Sequence, residues 1–91
     1  MSRLNRELIL SNLAEAREEL ERIEALVGVE GGRLSEGELS VMFGHAYHHI
    51  NFAWNARRAP MKKYRNMKDE DFDAWGRFPA DLELPTLAES D

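Results

Sequence analysis

The sequence predicts an all-α fold, in which an antiparallel two-helix hairpin and a short C-terminal helix assemble as a dimeric or tetrameric helical bundle. Two heptad patterns and one connection between them lead to this prediction. Apolar residues recur every three or four positions from Ile9 to Val27, and again from Leu39 to Ala53. Glycines at 31–32 lie between the two patterns, so the chain can reverse direction over a few residues.

The first helix is expected over about residues 3–27. Ser2 is its predicted N-cap, and Gly28 is expected to end it. The predicted heptad seam consists of Ile9, Leu13, Ala16, Leu20, Ile23 and Val27. Glutamates and an arginine occupy the other side, which predicts that this side faces solvent.

The second helix is expected over about residues 36–58. Ser35 and Glu38 have the spacing of a capping box, and Pro60 disfavours helical geometry at the residue before it. Its first apolar row is Leu39, Phe43, Ala46, Ile50 and Ala53. A second row, on another face, is Met42, His45, His49, Phe52 and Ala56.

Two apolar rows on one helix predict self-association. One hairpin buries one face of each helix, and a large aromatic surface left in water is typical of an interaction site. A symmetric dimer is the simplest way to bury the second row, and a tetramer is an alternative. The leading hypothesis is a small oligomeric interaction or adaptor protein without catalytic activity, which binds a second copy or another protein. The predicted interface residues are Met42, His49, Ile50, Phe52, Ala53, Trp54, Phe72 and Trp75.

The C-terminal part is expected to contain little regular structure. Residues 61–68 are predicted to be irregular, and a short helix is expected over about residues 69–76. Phe72 and Trp75 share a face of that helix and are expected to dock on the bundle. Residues 1–79 would form one domain, followed by an extended or partly disordered acidic tail at 80–91.

Composition excludes several classes of site. The 91 residues include no cysteine, which removes disulfides, thiolate metal ligands and cysteine nucleophiles. No stretch approaches the roughly 20 apolar residues of a membrane span, so we expect a soluble, cytoplasmic protein. The net charge of −5 is uneven, since residues 39–68 hold six basic and no acidic side chains. The acidic flanks are expected to pair with this basic middle.

The three histidines suggest an alternative function in metal binding. His45 and His49 are four residues apart on one helix face, a spacing that can place two imidazoles on one divalent metal, and His48 lies beside them. The sequence lacks the His-Glu-x-x-His and Glu-x-x-His motifs, so further ligands would come from glutamates or a second copy. The simpler interpretation is that these histidines are hydrogen-bonded interface residues.

One polar edge of helix 2 carries Tyr47, Asn51 and Asn55. Buried asparagines can fix the register of a helical bundle, which is the simpler interpretation. The alternative is a small-ligand pocket lined by Tyr47, Asn51, Trp54 and the histidines.

A basic segment at 57–68 suggests association with nucleic acid as a further alternative. Cations neutralise phosphates and an aromatic ring can stack on a base. The candidate residues are Arg57, Arg58, Lys62, Lys63, Tyr64 and Arg65. The acidic run at 69–73 would compete for the same cations. Because no nucleophile elbow or phosphate-binding loop is present, we do not expect an enzyme.

Overall fold

The computed structural model describes residues 3–29 and 32–83. Over these residues the chain forms helices and no strand. The helices are α1 (Arg6–Val27), α2 (Glu36–Asn55), α3 (Met61–Arg65) and α4 (Asp69–Trp75). The prediction of an all-α fold built on two long, packed helices is confirmed.

The helix ends differ from the predicted ones in three places. The cap of α1 is Asn5, whose side chain accepts from the Leu8 N–H, and the predicted cap Ser2 lies outside the described residues. α2 ends at Asn55, about three residues early. The segment after Pro60 was expected to be irregular, but it begins with the one-turn helix α3. Pro60 is extended and occupies the N-cap position, where the missing N–H of proline breaks no helical hydrogen bond. Part of the predicted loop, residues 30–31, and of the predicted tail, residues 84–91, lies outside the described residues.

One half of the predicted capping box, the hydrogen bond to the Ser35 side chain, is present at the N-terminus of α2. The Ser35 Oγ accepts a hydrogen bond from the Glu38 N–H at 3.0 Å. Ser35 itself is extended, as an N-cap residue should be. α2 then runs antiparallel to α1, and the two form the hairpin on which the rest of the chain packs.

The surface that joins α1 to α2, here called the hairpin seam, differs from the predicted one. Its α1 residues are Leu8, Asn12, Ala16, Glu19 and Ile23. On α2 it contains the buried residues Met42, Ala46, Ala53 and Ala56, together with the half-buried His49. Most of these α2 side chains are small, which favours close approach of the two helices. Ala16 and Ile23 of the predicted α1 row lie in this seam. Leu8, Asn12 and Glu19 take the places expected for Ile9, Leu13 and Leu20, so polar side chains enter the hairpin.

A row of polar side chains seven residues apart, here called the polar row, fixes how α1 lies on α2. Asn5 donates from Nδ2 to the Ala59 carbonyl at 2.8 Å, just beyond the end of α2. Asn12 and Glu19 contact histidines further back along α2 and are only 4% and 8% exposed. A sliding shift of one helix along the other would break all three contacts at once, so the polar row specifies the register.

α3 and α4 cover one side of α2. Phe52 is 3% exposed and lies at the centre of an aromatic cluster. Its ring contacts Tyr64 of α3 and Phe72 and Trp75 of α4, with centroid distances of 6.4, 6.1 and 5.5 Å. The predicted docking of Phe72 and Trp75 therefore occurs within one chain. His48 also stacks on Phe72 at 5.5 Å.

The segment after α4 crosses to the other side of α2. Asn51 donates to the carbonyls of Gly76 and Arg77 at 3.1 and 2.7 Å. Asn55 donates to the carbonyls of Trp75 and Arg77 at 2.8 and 2.6 Å. These amides satisfy carbonyls at the end of α4, which would otherwise lack helical partners. The predicted register role of the asparagines is thus replaced by a capping role within the chain.

The start of the predicted tail is attached to the hairpin. Asp81 accepts hydrogen bonds from the Trp54 indole and the Arg57 guanidinium, both at 2.9 Å. Arg57 also lies 3.8 Å above the Trp54 ring. The two donors hold the pKa of Asp81 below its ordinary value, with the Trp54 hydrogen bond as the largest cause. Among residues 3–29 and 32–83, no helix is long and apolar enough to cross a membrane.

Two substitutions of Asn5 separate its two roles. Asn5→Ala removes both the cap and the tether to Ala59, and we expect it to lower the free energy of unfolding by about 2 kcal/mol. Asn5→Ser keeps a capping oxygen but cannot reach Ala59, so about half of that loss is expected. Urea denaturation measures both values. A serine variant as stable as the wild type would show that the tether contributes nothing.

Candidate functional site

The first candidate site is an apolar surface on the side of the hairpin away from α4, here called the outward face. It consists of Leu13 and Leu20 of α1, Phe43, Tyr47 and Ile50 of α2, and Phe78. Each of these side chains is more than 40% exposed, and Phe78 is 86% exposed. The α1 and α2 residues follow heptad spacing, and four of them belong to the predicted apolar rows. The large side chains of the two predicted rows therefore face solvent in the single chain, although Ala16, Ile23, Ala46 and Ala53 of the same rows are buried.

The hydrogen bonds of the polar row show which residues of the outward face are neighbours. Asn12 meets His49 and Glu19 meets His45, so α1 and α2 run antiparallel. Leu13 and Ile50 border the same cavity. One heptad further along α1 and one heptad back along α2, Leu20 lies level with Phe43. The outward face is thus a continuous patch across both helices.

A cavity of about 550 Å³ opens at one end of this patch. Its walls come from α1, α2 and the segment after α4, and nearly all of them are apolar. Its lining residues include Leu13, Tyr47, Ile50, Trp54 and Phe78. Of the residues predicted for a small-ligand pocket, Tyr47, Asn51 and Trp54 line this cavity, whereas the histidines do not.

The second candidate site is a series of short polar contacts through two histidines, on the other side of the hairpin. The His45 Nδ1 lies 2.9 Å from the Glu19 Oε2. The His49 Nδ1 lies 3.0 Å from the Asn12 Oδ1. The two Nε2 atoms lie 3.1 Å apart, with the rings edge to face. The side chains of His45 and His49 therefore lie next to each other on one helix face, as their spacing predicted.

The partners determine which ring nitrogens carry hydrogens. Asn12 donates from Nδ2 to the Leu8 carbonyl at 2.9 Å, so its Oδ1 faces His49 as an acceptor. The Glu19 carboxylate is likewise an acceptor. Both Nδ1 atoms must then donate. When both imidazoles are neutral, each presents an Nε2 lone pair to the other, and when one is protonated, its Nε2–H donates to the neutral ring.

His49 resists protonation. Partial burial is the largest cause that lowers its pKa from the ordinary value of 6.5, and the neighbouring His45 and His48 lower it further. The carboxylates of Glu15 and Glu19 act in the opposite direction but do not outweigh these effects. Because burial and the other histidines disfavour a charged His49, the cluster holds at least one neutral imidazole over a wider pH range than free histidine would.

His48, the third predicted metal ligand, does not join this pair. Its ring packs on Phe52 and Phe72, with centroid distances of 5.5 Å to each. Within the described ranges, no group of three or more histidine, aspartate or glutamate side chains is arranged to hold a metal ion. Only the His45 and His49 nitrogens converge.

The predicted interface residues divide into two groups. Met42, Phe52 and Ala53 are buried within one chain, so they need no partner to leave water. His49, Trp54 and Trp75 are half-buried, and Ile50 and Phe72 are each 47% exposed. Ile50 is the one member of the predicted set that lies on the outward face.

The basic segment is interleaved with acidic groups. The Lys63 Nζ lies 3.5 Å from the Asp71 Oδ1, and Arg57 pairs with Asp81. Tyr64, the proposed stacking ring, packs against Phe52 instead of standing free. The expected internal pairing of acidic flanks with the basic middle therefore occurs at these two positions. Nucleic-acid binding through Arg58, Lys62 and Arg65 stays a prediction.

Sequence reasoning missed three residues that build the histidine site and the register. Asn5, Asn12 and Glu19 recur every seventh residue. The apolar heptad one position later was instead predicted to form the seam. The sequence did contain a signal for these contacts, because a polar heptad on α1 recurs opposite a helix that carries histidines.

Comparisons with protein-family models, with curated proteins and with solved structures find no match to this chain.

The lowered pKa of His49 predicts a loss of stability in mild acid. As the pH falls through about 6.5, the unfolded chain binds a proton at this residue that the folded chain resists, so the free energy of unfolding decreases. The decrease continues until the pH passes the lower, folded-state pKa. Urea denaturation at several pH values between about 7.5 and 5 measures the slope. His49→Gln should make the slope shallower, and an unchanged slope would contradict this account.

Proposed function

We propose that the protein is a self-associating interaction protein, in which two hairpins pair through their outward faces to form a four-helix bundle. The observation that carries the proposal is the exposed heptad pattern of the outward face. Leu13, Leu20, Phe43 and Ile50 are 42–54% exposed although they have the spacing of a helix-packing seam. Water contact along such a row is unfavourable, and a second copy would remove it.

The outward face has the features of a surface that packs against other helices. It is continuous across both helices, and the aromatic side chains of Phe43, Tyr47 and Phe78 supply large contact areas. Antiparallel hairpins with one apolar face each form four-helix bundles when the two faces meet. α4 covers the other side of α2, so pairing through the outward face leaves the aromatic cluster around Phe52 intact.

The charges at the two ends of α2 support a two-fold arrangement. Glu36 and Glu38 lie in its first turn, and Arg58 follows its last turn. If two copies of α2 run antiparallel with the symmetry axis near Tyr47, the acidic end of each helix lies beside the basic end of the other. Phe43 of one copy then lies level with Ile50 of the second. Opposite charges at both ends favour this register over a parallel one.

An adaptor role follows from the same surfaces. A dimer built in this way keeps two copies of the exposed basic segment and of the histidine site on its outer sides, where a further protein can reach them. No catalytic group is required for such a role. The proposal therefore makes protein binding the function and the hairpin its scaffold.

Ile50→Asp tests the proposal because it places a charge in the centre of the outward face without touching the hairpin seam. The wild-type protein is expected to have twice the 10.5 kDa mass of one chain in analytical ultracentrifugation. The variant is expected to sediment as a folded monomer, with unchanged helical circular dichroism. Association should weaken by at least about 100-fold, the effect of removing a central interface contact worth about 2–3 kcal/mol.

Two further variants control for general damage. Val41→Asp changes a residue that is 73% exposed on the opposite side of α2, so it should remain dimeric. Phe52→Asp places a charge in the aromatic cluster and should unfold the chain rather than dissociate it. A wild-type protein that remains monomeric at high micromolar concentration, or an Ile50→Asp variant that dimerises as the wild type does, would refute the proposal.

A further inference from the structure

We propose that the His45 and His49 Nε2 atoms form a two-imidazole site for a borderline first-row divalent cation, with Zn²⁺ as the representative ion. The site lies on the side of the hairpin away from the outward face, so it is independent of self-association. Its remaining coordination positions would be filled by water or by an exogenous ligand. Three features favour a cation there: the fixed orientation of the rings, the short distance between their nitrogens and access from solvent.

The orientation of both rings is fixed by acceptors on α1. Histidines that bind metals typically donate their other ring N–H to a carboxylate or carbonyl oxygen, which fixes the tautomer. Here the His45 Nδ1 faces the Glu19 carboxylate, and the His49 Nδ1 faces the Asn12 amide oxygen. Both acceptors belong to the polar row and are at least nine-tenths buried, so they hold the rings firmly.

The two Nε2 atoms lie close together, with the imidazole rings edge to face. Two neutral imidazoles that face each other in this way repel unless a positive charge lies between them. The nitrogens are 3.1 Å apart. Two histidine ligands of a tetrahedral Zn²⁺ at bond lengths of 2.0–2.1 Å are separated by about 3.3 Å. A change of a few tenths of an ångström therefore converts the pair into a bidentate site.

Access and charge also suit a cation. The His45 side chain is 47% exposed, so an ion can reach the nitrogens from solvent. The Glu19 carboxylate lies 2.9 Å from the Nδ1 of His45, so it favours a cation bound at the opposite nitrogen of that ring. Imidazole nitrogen is a preferred ligand for zinc, copper and nickel, whereas calcium and magnesium require oxygen ligands.

The test is isothermal titration of untagged wild-type protein with Zn²⁺ alone at pH 7.5. We expect one ion per chain, and a matching titration with Co²⁺ followed by visible absorption. His45→Ala should lower the affinity by at least about tenfold, because one imidazole is lost. Glu19→Ala, which removes the acceptor that orients His45, should weaken binding by about 10- to 100-fold.

His48→Ala is the matched control, since it removes a third imidazole from the same helix turn that does not converge with the other two. It should bind Zn²⁺ as the wild type does. His45→Ala and Glu19→Ala must also retain the helical circular dichroism of the wild type, and His45→Gln replaces the alanine variant if they do not. Equal loss of binding in the His45 and His48 variants would overturn the proposal. So would a wild type that binds no Zn²⁺ or that gives the same response with Mg²⁺.

Discussion

The polar row on α1 is the constraint on which the rest of the structure depends. Asn5, Asn12 and Glu19 are seven residues apart, and each meets a polar group on or just beyond α2. Apolar contacts tolerate small shifts along a helix, whereas buried hydrogen bonds do not, because an unsatisfied buried group costs about 1–3 kcal/mol. Placing polar residues in the hairpin seam therefore exchanges some stability for a single alignment of the helices.

The polar row in the hairpin seam also determines which apolar side chains face solvent. With polar and small side chains between the helices, Leu13, Leu20, Phe43 and Ile50 turn to the outside. The same rotation brings His45 and His49 to the far side of the seam, beside Glu19 and Asn12. The outward face and the histidine site thus both result from the way α1 packs on α2. Each proposed function uses a different side of the same hairpin.

Much of the architecture follows from the sequence, because periodicity and capping are local properties. The two long helices, the Ser35 cap and the short helix with Phe72 and Trp75 were all predictable in this way. The face of α1 that packs on α2 was predictable only in part: Ala16 and Ile23 are buried as expected, but Leu13 and Leu20 are exposed. A leucine heptad normally outweighs a polar one beside it. Asn5 could not be chosen over Ser2 as a cap from composition alone, because its tether to Ala59 connects residues 54 positions apart. Among the candidate site residues, the His45 and His49 pair was predictable from helical spacing, but its acceptors on α1 required the register.

The attachment of the last two helices has a consequence for motion. α3 and α4 are held mainly by rings around Phe52 and by the amides of Asn51 and Asn55, and no residue of either helix is itself buried. Elements with so few buried groups of their own open at free energies below that of global unfolding. Slow amide exchange should be concentrated in the middle of α1 and α2, while the C-terminal helices exchange through brief detachment. During such openings Phe52 is exposed to solvent. The hairpin then exposes apolar side chains on two sides, the outward face and the side that α3 and α4 normally cover.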